Sequence, residues 1–203
     1  MLAEKVPDGF RFAPKMPQVI THANGLKGSY EELTTFVDTI SLLGDKLGPI
    51  LVQLPPTFGY HNLDTLQKFL RLLRKFTEEL RFAIECRNSS LLRDHNIALC
   101  LNDLEWMPAS QDTTTDFAYF RWLGRQPLNG RQTPQPVDVT HQLIPSVLIV
   151  RGIACRVEEV YGFFNDRYGG HAPQTANLVK EIFGLAPADP RSLWPQQLTM
   201  FEE

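Results

Sequence analysis

Val160-Tyr-Gly-Phe-Phe-Asn-Asp-Arg-Tyr-Gly-Gly-His-Ala-Pro-Gln-Thr-Ala-Asn177 reads as an apolar strand, a polar glycine loop and a helix opened by Pro173. Asn165 and Asp166 stand where the strand should end. Gly169 and Gly170 let the backbone approach another group closely, and His171 sits at the mouth of the helix. Joining a strand to a helix needs none of this polarity, so the loop is read as a ligand site.

The same unit recurs on working outward. Toward the N-terminus lie a helix at about 139–155, carrying Pro145 near its start or at a kink, and a long loop at 125–138 with Pro127, Gly130, Pro134 and Pro136. Loops of that length in compact domains are commonly lids, binding loops or disordered. Four further strands are predicted at Asp116 to Gly124, Ile97 to Asp103, Arg81 to Arg87 and Ile50 to Leu54. A helix striped by Leu63, Leu66, Leu70 and Leu73 is expected from Asn62 to Glu79. Before it, Ser29 and Glu32 offer a capping box to a helix whose apolar stripe is Leu33, Phe36, Val37 and Ile40. Phe10 to Lys15 alternates as the first of six strands, with Phe10 and Phe12 on one face and Arg11, Ala13 and Lys15 on the other. Pro7-Asp8-Gly9 is a turn, and Met1 to Lys5 looks like the tail of a helix. Strands that are apolar throughout, alternating with helices, predict a parallel sheet covered by helices. One domain is expected over residues 1–185, followed by a Pro- and Gln-rich tail at 186–203.

Composition narrows the function classes. The chain has 203 residues, 43% of them apolar, and a net charge of −3, as expected of a globular domain with a sizeable core. That charge argues against a general nucleic-acid scaffold, although a local basic groove stays open. Cys86, Cys100 and Cys155 are odd in number and form no C-x-x-C pair, which predicts reduced thiols in a cytoplasmic protein. No strictly apolar run, Val147 to Val150 among them, is long enough to cross a bilayer, so no membrane partner is expected.

The predicted strands end in polar groups: Lys15, Gln53, Glu85 with Arg87, Asp103, Arg121, and Asn165 with Asp166. In a parallel α/β barrel these ends share one rim, where ligands bind. Alternation then places Ala13, Ala83 and Tyr119 in the interior below Lys15, Glu85 and Arg121. Glu85 and Asp103 are the candidate catalytic groups. Lys15, His22, Gln53, Arg87, Arg121, Asn165, Asp166, Gly170 and His171 are the candidate ligand-binding residues. The helix N-terminus behind Gly170 and His171 suits a phosphate or carboxylate. Blander readings stand beside these. Glu85 and Arg87 could form a structural ion-pair network with Arg121 or Lys15, Gln53 and Asp103 could anchor loops, and His171 could simply cap its helix. Trp122 reads first as packing and second as a stacking surface at the rim. A divalent metal held by Glu85, Asp103, His22 and His171 also stays open, though no H-E-x-x-H spacing is present. No serine elbow, Walker loop or G-x-G-x-x-G occurs.

Several segments together resemble the YecE-like family, also called domain of unknown function 72. They are Pro7 to Pro17 with Ile20-Thr-His22, Lys46 to Pro56, Ile84-Glu-Cys-Arg87, Asp116 to Gly124, and Phe163 to Pro173. The resemblance implies a TIM-type (β/α) barrel with no assigned activity. Many members carry Arg-Leu-His-Gly where this chain has Arg121-Trp-Leu-Gly124, and Asn-Asn where it has Asn165-Asp166. The family normally begins with a Gly-Ser-Trp strand and a second strand bearing Glu and Asn, both upstream of anything here. A closed barrel of this kind needs eight strands. The expectation is therefore an α/β, TIM-type (β/α) barrel that is incomplete, lacking about two N-terminal strands, through gene decay or a misplaced start codon. Function is expected to be an enzyme of phosphorylated or phosphodiester substrates, with Glu85 as acid–base. The alternatives are a non-catalytic binder of an anionic small molecule and an inactive remnant. Nucleic acid is a weaker candidate partner.

Overall fold

In the computed structural model, residues 2–86, 89–104, 111–124, 140–165 and 171–189 are described. Five strands form one sheet: β1 (Ile50–Val52), β2 (Phe82–Ile84), β3 (Ala98–Asn102), β4 (Phe117–Trp122) and β5 (Glu159–Phe164). Their order in the sheet is their order in the chain, and every neighbouring pair is parallel. Among the described residues five α-helices accompany them: α1 (Tyr30–Ser41), α2 (Leu63–Leu73), α3 (Ser90–Arg93), α4 (Thr140–Ala154) and α5 (Ala172–Ile182).

Period-two alternation divides each strand between two cores. Ile50, Val52, Phe82, Ile84, Leu99, Leu101, Phe120 and Trp122 join the main core, which includes Leu33, Leu70, Leu73, Val147 and Val150 of the helices. Leu51, Ala83, Ala98, Cys100, Phe117 and Tyr119 form a second core on the other face, with Tyr161 and Phe163 packed against it. The second face is concave. Arg81, at the start of β2, pairs with Glu159 of β5 and donates to the Tyr161 hydroxyl at 3.3 Å. In a flat sheet these strands would lie about 14 Å apart, three spacings of about 4.8 Å, and side chains standing off it would not converge. The sheet is a curled half-barrel.

The first predicted strand is corrected. Phe10 to Lys15 runs beside β1 but makes only two isolated parallel bridges, Phe12 with Leu47 and Lys15 with Leu51. Pro14 has no N–H to give; its carbonyl accepts from Leu51 at 2.9 Å, and Met16 N–H then returns a bond to Leu51 O at 2.9 Å. Phe10 and Phe12 share a face as expected, in edge contact at 4.9 Å. The turn before them is present, with Gly9 at φ +80° supplying the left-handed residue. Residues 2–5 form a 3-10 turn whose Ala3 carbonyl accepts from Lys46 Nζ at 2.9 Å.

The first two helices depart from prediction in capping or in length. No capping box opens α1: Ser29 Oγ donates to Lys27 O at 3.1 Å, and Glu32 accepts from Asn24 Nδ2 at 3.2 Å. Single 3-10 turns flank α2, so its regular part ends at Leu73 rather than Glu79. Ile20-Thr21-His22 lies in a π-helical turn, Val19–Ala23. Pro145 lies inside α4, five residues after Thr140. Trp122 is packing, as its first reading held: it is 2% exposed, donates Nε1 to Ser146 Oγ at 2.8 Å, and stacks on Phe164 at 4.4 Å. The loop predicted at 125–138 and residues 190–203 of the tail lie outside the described residues. The tail's first residues are tied to α5, where Asn177 exchanges two 2.9 Å bonds with the Ala188 backbone.

Candidate functional site

The C-terminal ends of the strands carry one set of polar groups of the concave face. Glu85 follows β2, and its two oxygens are held separately. Arg121 of β4 donates to Oε2 at 2.8 Å, and Asn102 of β3 donates to Oε1 at 3.2 Å. Asn102 is itself oriented, because its Oδ1 accepts from Leu104 N–H at 3.1 Å. The Glu85 and Arg121 side chains are only 15% and 12% exposed. Lys15, on the edge segment, donates to Gln53 Oε1 at 3.3 Å. The Cys100 thiol of the second core links these pairs. Burial pushes it well above the ordinary thiol range, Glu85 pushes the same way, and Arg121 and Lys15 oppose both. Lys15, Glu85 and Arg121 all lie within electrostatic reach of this one thiol.

The other expected site residues are less convergent. Asp103 turns to the end of β4, its Oδ1 accepting from the N–H of Leu123 at 2.8 Å and of Gly124 at 3.4 Å, which is the loop-anchoring role. The His22 ring is exposed and shares a 2.8 Å bond with Thr21 Oγ1. His171 caps α5, its Nδ1 accepting from Gln174 N–H at 3.3 Å, so that donor is already used. Asn165 closes β5, its N–H bonded to Trp122 O at 2.9 Å. Arg87, Asp166 and Gly170 lie outside the described residues. Among the described residues no three His, Cys, Asp or Glu side chains gather to hold a metal ion, so Glu85, Asp103, His22 and His171 are not brought together.

Two groups escaped sequence reasoning. Asn102 was passed over because a strand-end amide carries no motif. Its place opposite Arg121 follows from the β3–β4 register, which one sequence does not supply. The second group is at the opposite end of the concave face, where Arg81, Glu159, Tyr161 and Asp116 form a network, with Arg81 over the Phe117 ring at 5.3 Å. The hydrogen bond from Tyr161 and then that from Arg81 hold the Glu159 carboxyl below its usual range, while burial and then Glu159 raise the Tyr161 hydroxyl. A cavity of about 500 Å³ opens at that end, lined by Arg74, Glu78, Arg81, Asn96, Asp116 and Phe117. Arg81 is already paired there with the carboxylates of Glu159 and Asp116.

The floor of the rim gives a pH-dependent prediction. Burial first, and then the neighbouring thiol, also raises the Tyr119 hydroxyl above its usual range. Where the unfolded chain has ionised and the native one has not, the native state binds more protons and stability falls with rising pH. Stability should hold below about pH 8.5, the unfolded thiol value, and drop by about 2 kcal/mol by pH 10 through Cys100 alone. Urea unfolding across that range should show the decline, and Cys100→Ala should flatten it. An unchanged slope in the variant would mean the thiol is not the group responsible.

The comparisons agree with this architecture. Residues 1–198 match the profile of a family described as protein of unknown function DUF72. A stretch of 85 residues is 34% identical to the UPF0759 protein YecE of Escherichia coli K12, and equally to that of strain O157:H7. It makes up 42% of this chain but spans only 30% of those curated relatives. A solved DUF72 family protein from Thermotoga maritima MSB8 aligns with a TM-score of 0.72 and 27% identity, covering 89% of this chain and 76% of its own. Another, from Enterococcus faecalis V583, aligns with a TM-score of 0.77 over 97% of this chain and 81% of its own. At 24% identity, that likeness is one of fold.

Proposed function

The chain belongs to the DUF72 family, proteins of unknown function, and from that premise we propose that its rim binds, and acts on, a small ligand bearing a phosphate or phosphodiester group. In this reading the curled sheet is an arc of a TIM-type (β/α) barrel, and the rim is that barrel's mouth. The observation that carries it is the charge at these strand ends: Arg121 is paired with the carboxylate of Glu85, and Lys15 bonds only the Gln53 amide among the described residues, which leaves one positive charge over. Lys15 supplies the positive charge beyond the Arg121–Glu85 pair, and the Gln53 amide offers its N–H donors to the anion. Each Glu85 oxygen spends one lone pair on Arg121 or Asn102 and keeps another for a proton of the substrate. The same double hold on Glu85 favours a second reading, a binder in which Glu85 only sets the guanidinium.

A thermal-shift series with inorganic phosphate, nucleotides and divalent metals tests both. At a hundredfold excess over Kd, a phosphate-bearing ligand should stabilise the chain by about 2.7 kcal/mol, a rise of about 5–10 °C for a domain of this size. Lys15→Met should lose most of that rise while keeping the unliganded Tm. Absence of a shift from every anion removes the site. A shift that survives Glu85→Gln, with no turnover by the wild type, selects the binder.

A further inference from the structure

We infer that the ligand of this rim carries an aromatic base stacked on Phe163, which makes it a nucleoside phosphate; the inference rests on the anion-binding reading above. Phe163 is the register partner of Arg121 in the β4–β5 ladder, so the two side chains leave the same face of adjacent strands side by side. One face of the Phe163 ring stacks on Tyr119 at 4.6 Å and 21°. Tyr119 is 3% exposed, whereas Phe163 is only half-buried. The concave face thus ends in a ring that is stacked on Tyr119, only partly buried, and next to Arg121 in the ladder. Trp122, the aromatic residue the sequence puts at this rim, faces the opposite core and is closed to a ligand.

Chemistry narrows the ligand further. Neighbouring cation and aromatic ring suit an anion attached to a flat group, since stacking tolerates any base while the guanidinium takes the phosphate. Glu85, held between Arg121 and Asn102, accepts from hydroxyls, as a ribose between base and phosphate would supply. A ligand without a ring would leave the open part of Phe163 to water.

Binding of adenosine monophosphate, ribose phosphate and inorganic phosphate, measured by calorimetry on the wild type, Phe163→Leu and Phe163→Tyr, tests this. The nucleotide should bind the wild type at least tenfold more tightly than ribose phosphate. Phe163→Leu should erase that advantage and leave ribose phosphate and inorganic phosphate unchanged, while Phe163→Tyr keeps it. Equal affinity of the nucleotide and ribose phosphate for the wild type overturns the stacking inference alone. So does an equal loss of all three ligands in Phe163→Leu, which would assign the ring a structural role. Failure of all three to bind the wild type overturns the anion site itself, and this inference with it.

Discussion

Arg121→Met should destabilise the chain by about 3 kcal/mol, the lower end of the cost of breaking a buried ion pair. The 2.8 Å bond between Arg121 and Glu85 joins side chains that are 12% and 15% exposed, so its removal leaves a carboxylate that water reaches poorly. Among the described residues only the Asn102 amide remains on Glu85 to offset it. Glu85→Gln should cost less, about 1–2 kcal/mol, because the neutral amide still accepts from Arg121. The double variant should recover much of the Arg121→Met loss, since no charge is then left without its counter-charge. Urea unfolding of the four proteins gives the coupling, expected at about 3 kcal/mol. Losses below about 0.5 kcal/mol that simply add would describe an exposed surface pair. The concave rim would then be no enclosed site.

That pair was within reach of sequence reasoning because strand periodicity is rigid. Once Ala83 and Tyr119 are assigned to the interior, Glu85 and Arg121 must follow them two residues on. Both pairs do share the concave face. The edge segment shows where such reasoning stops. Phe10 to Lys15 has a strand's alternation, yet Pro14 withholds the donor that a continuous ladder requires, and pairing is reduced to two bridges. The Ser29 box failed for a related reason. Capping motifs compete with other local partners, and here Lys27 O and Asn24 took the two side chains. Least legible was the network of Arg81, Glu159 and Tyr161. Its members are separated by up to 80 residues and meet only because the sheet curls, which no local pattern encodes. His171 was legible in position while its role stayed open. The ring nitrogen is committed to Gln174 N–H, and only coordinates separate that cap from a free ligand donor.

Trp122→Ala should be the most damaging single change on the helix-facing side of the sheet, at about 3–5 kcal/mol, the range for truncating a buried large aromatic residue. The indole is 2% exposed, lies against Phe120 and Phe164 at 4.4 Å each, and gives its N–H to the buried Ser146 hydroxyl. Its position also explains Gly162 in β5: a Cβ there would stand 2.8 Å from Trp122 Cζ3, closer than packed carbons tolerate. Gly162→Ala must therefore push the ring off Phe164 or bend β5, at about 1–3 kcal/mol. The two effects are linked through one contact and should not add. In a Trp122→Leu background, where the reaching ring edge is gone, the added methyl of Gly162→Ala should cost little or fill space. Thermal unfolding of the single and double variants reads this directly. If Gly162→Ala costs the same with tryptophan or leucine at 122, the glycine is retained for its backbone alone, and the packing of β5 against Trp122 does not determine which residue position 162 accepts.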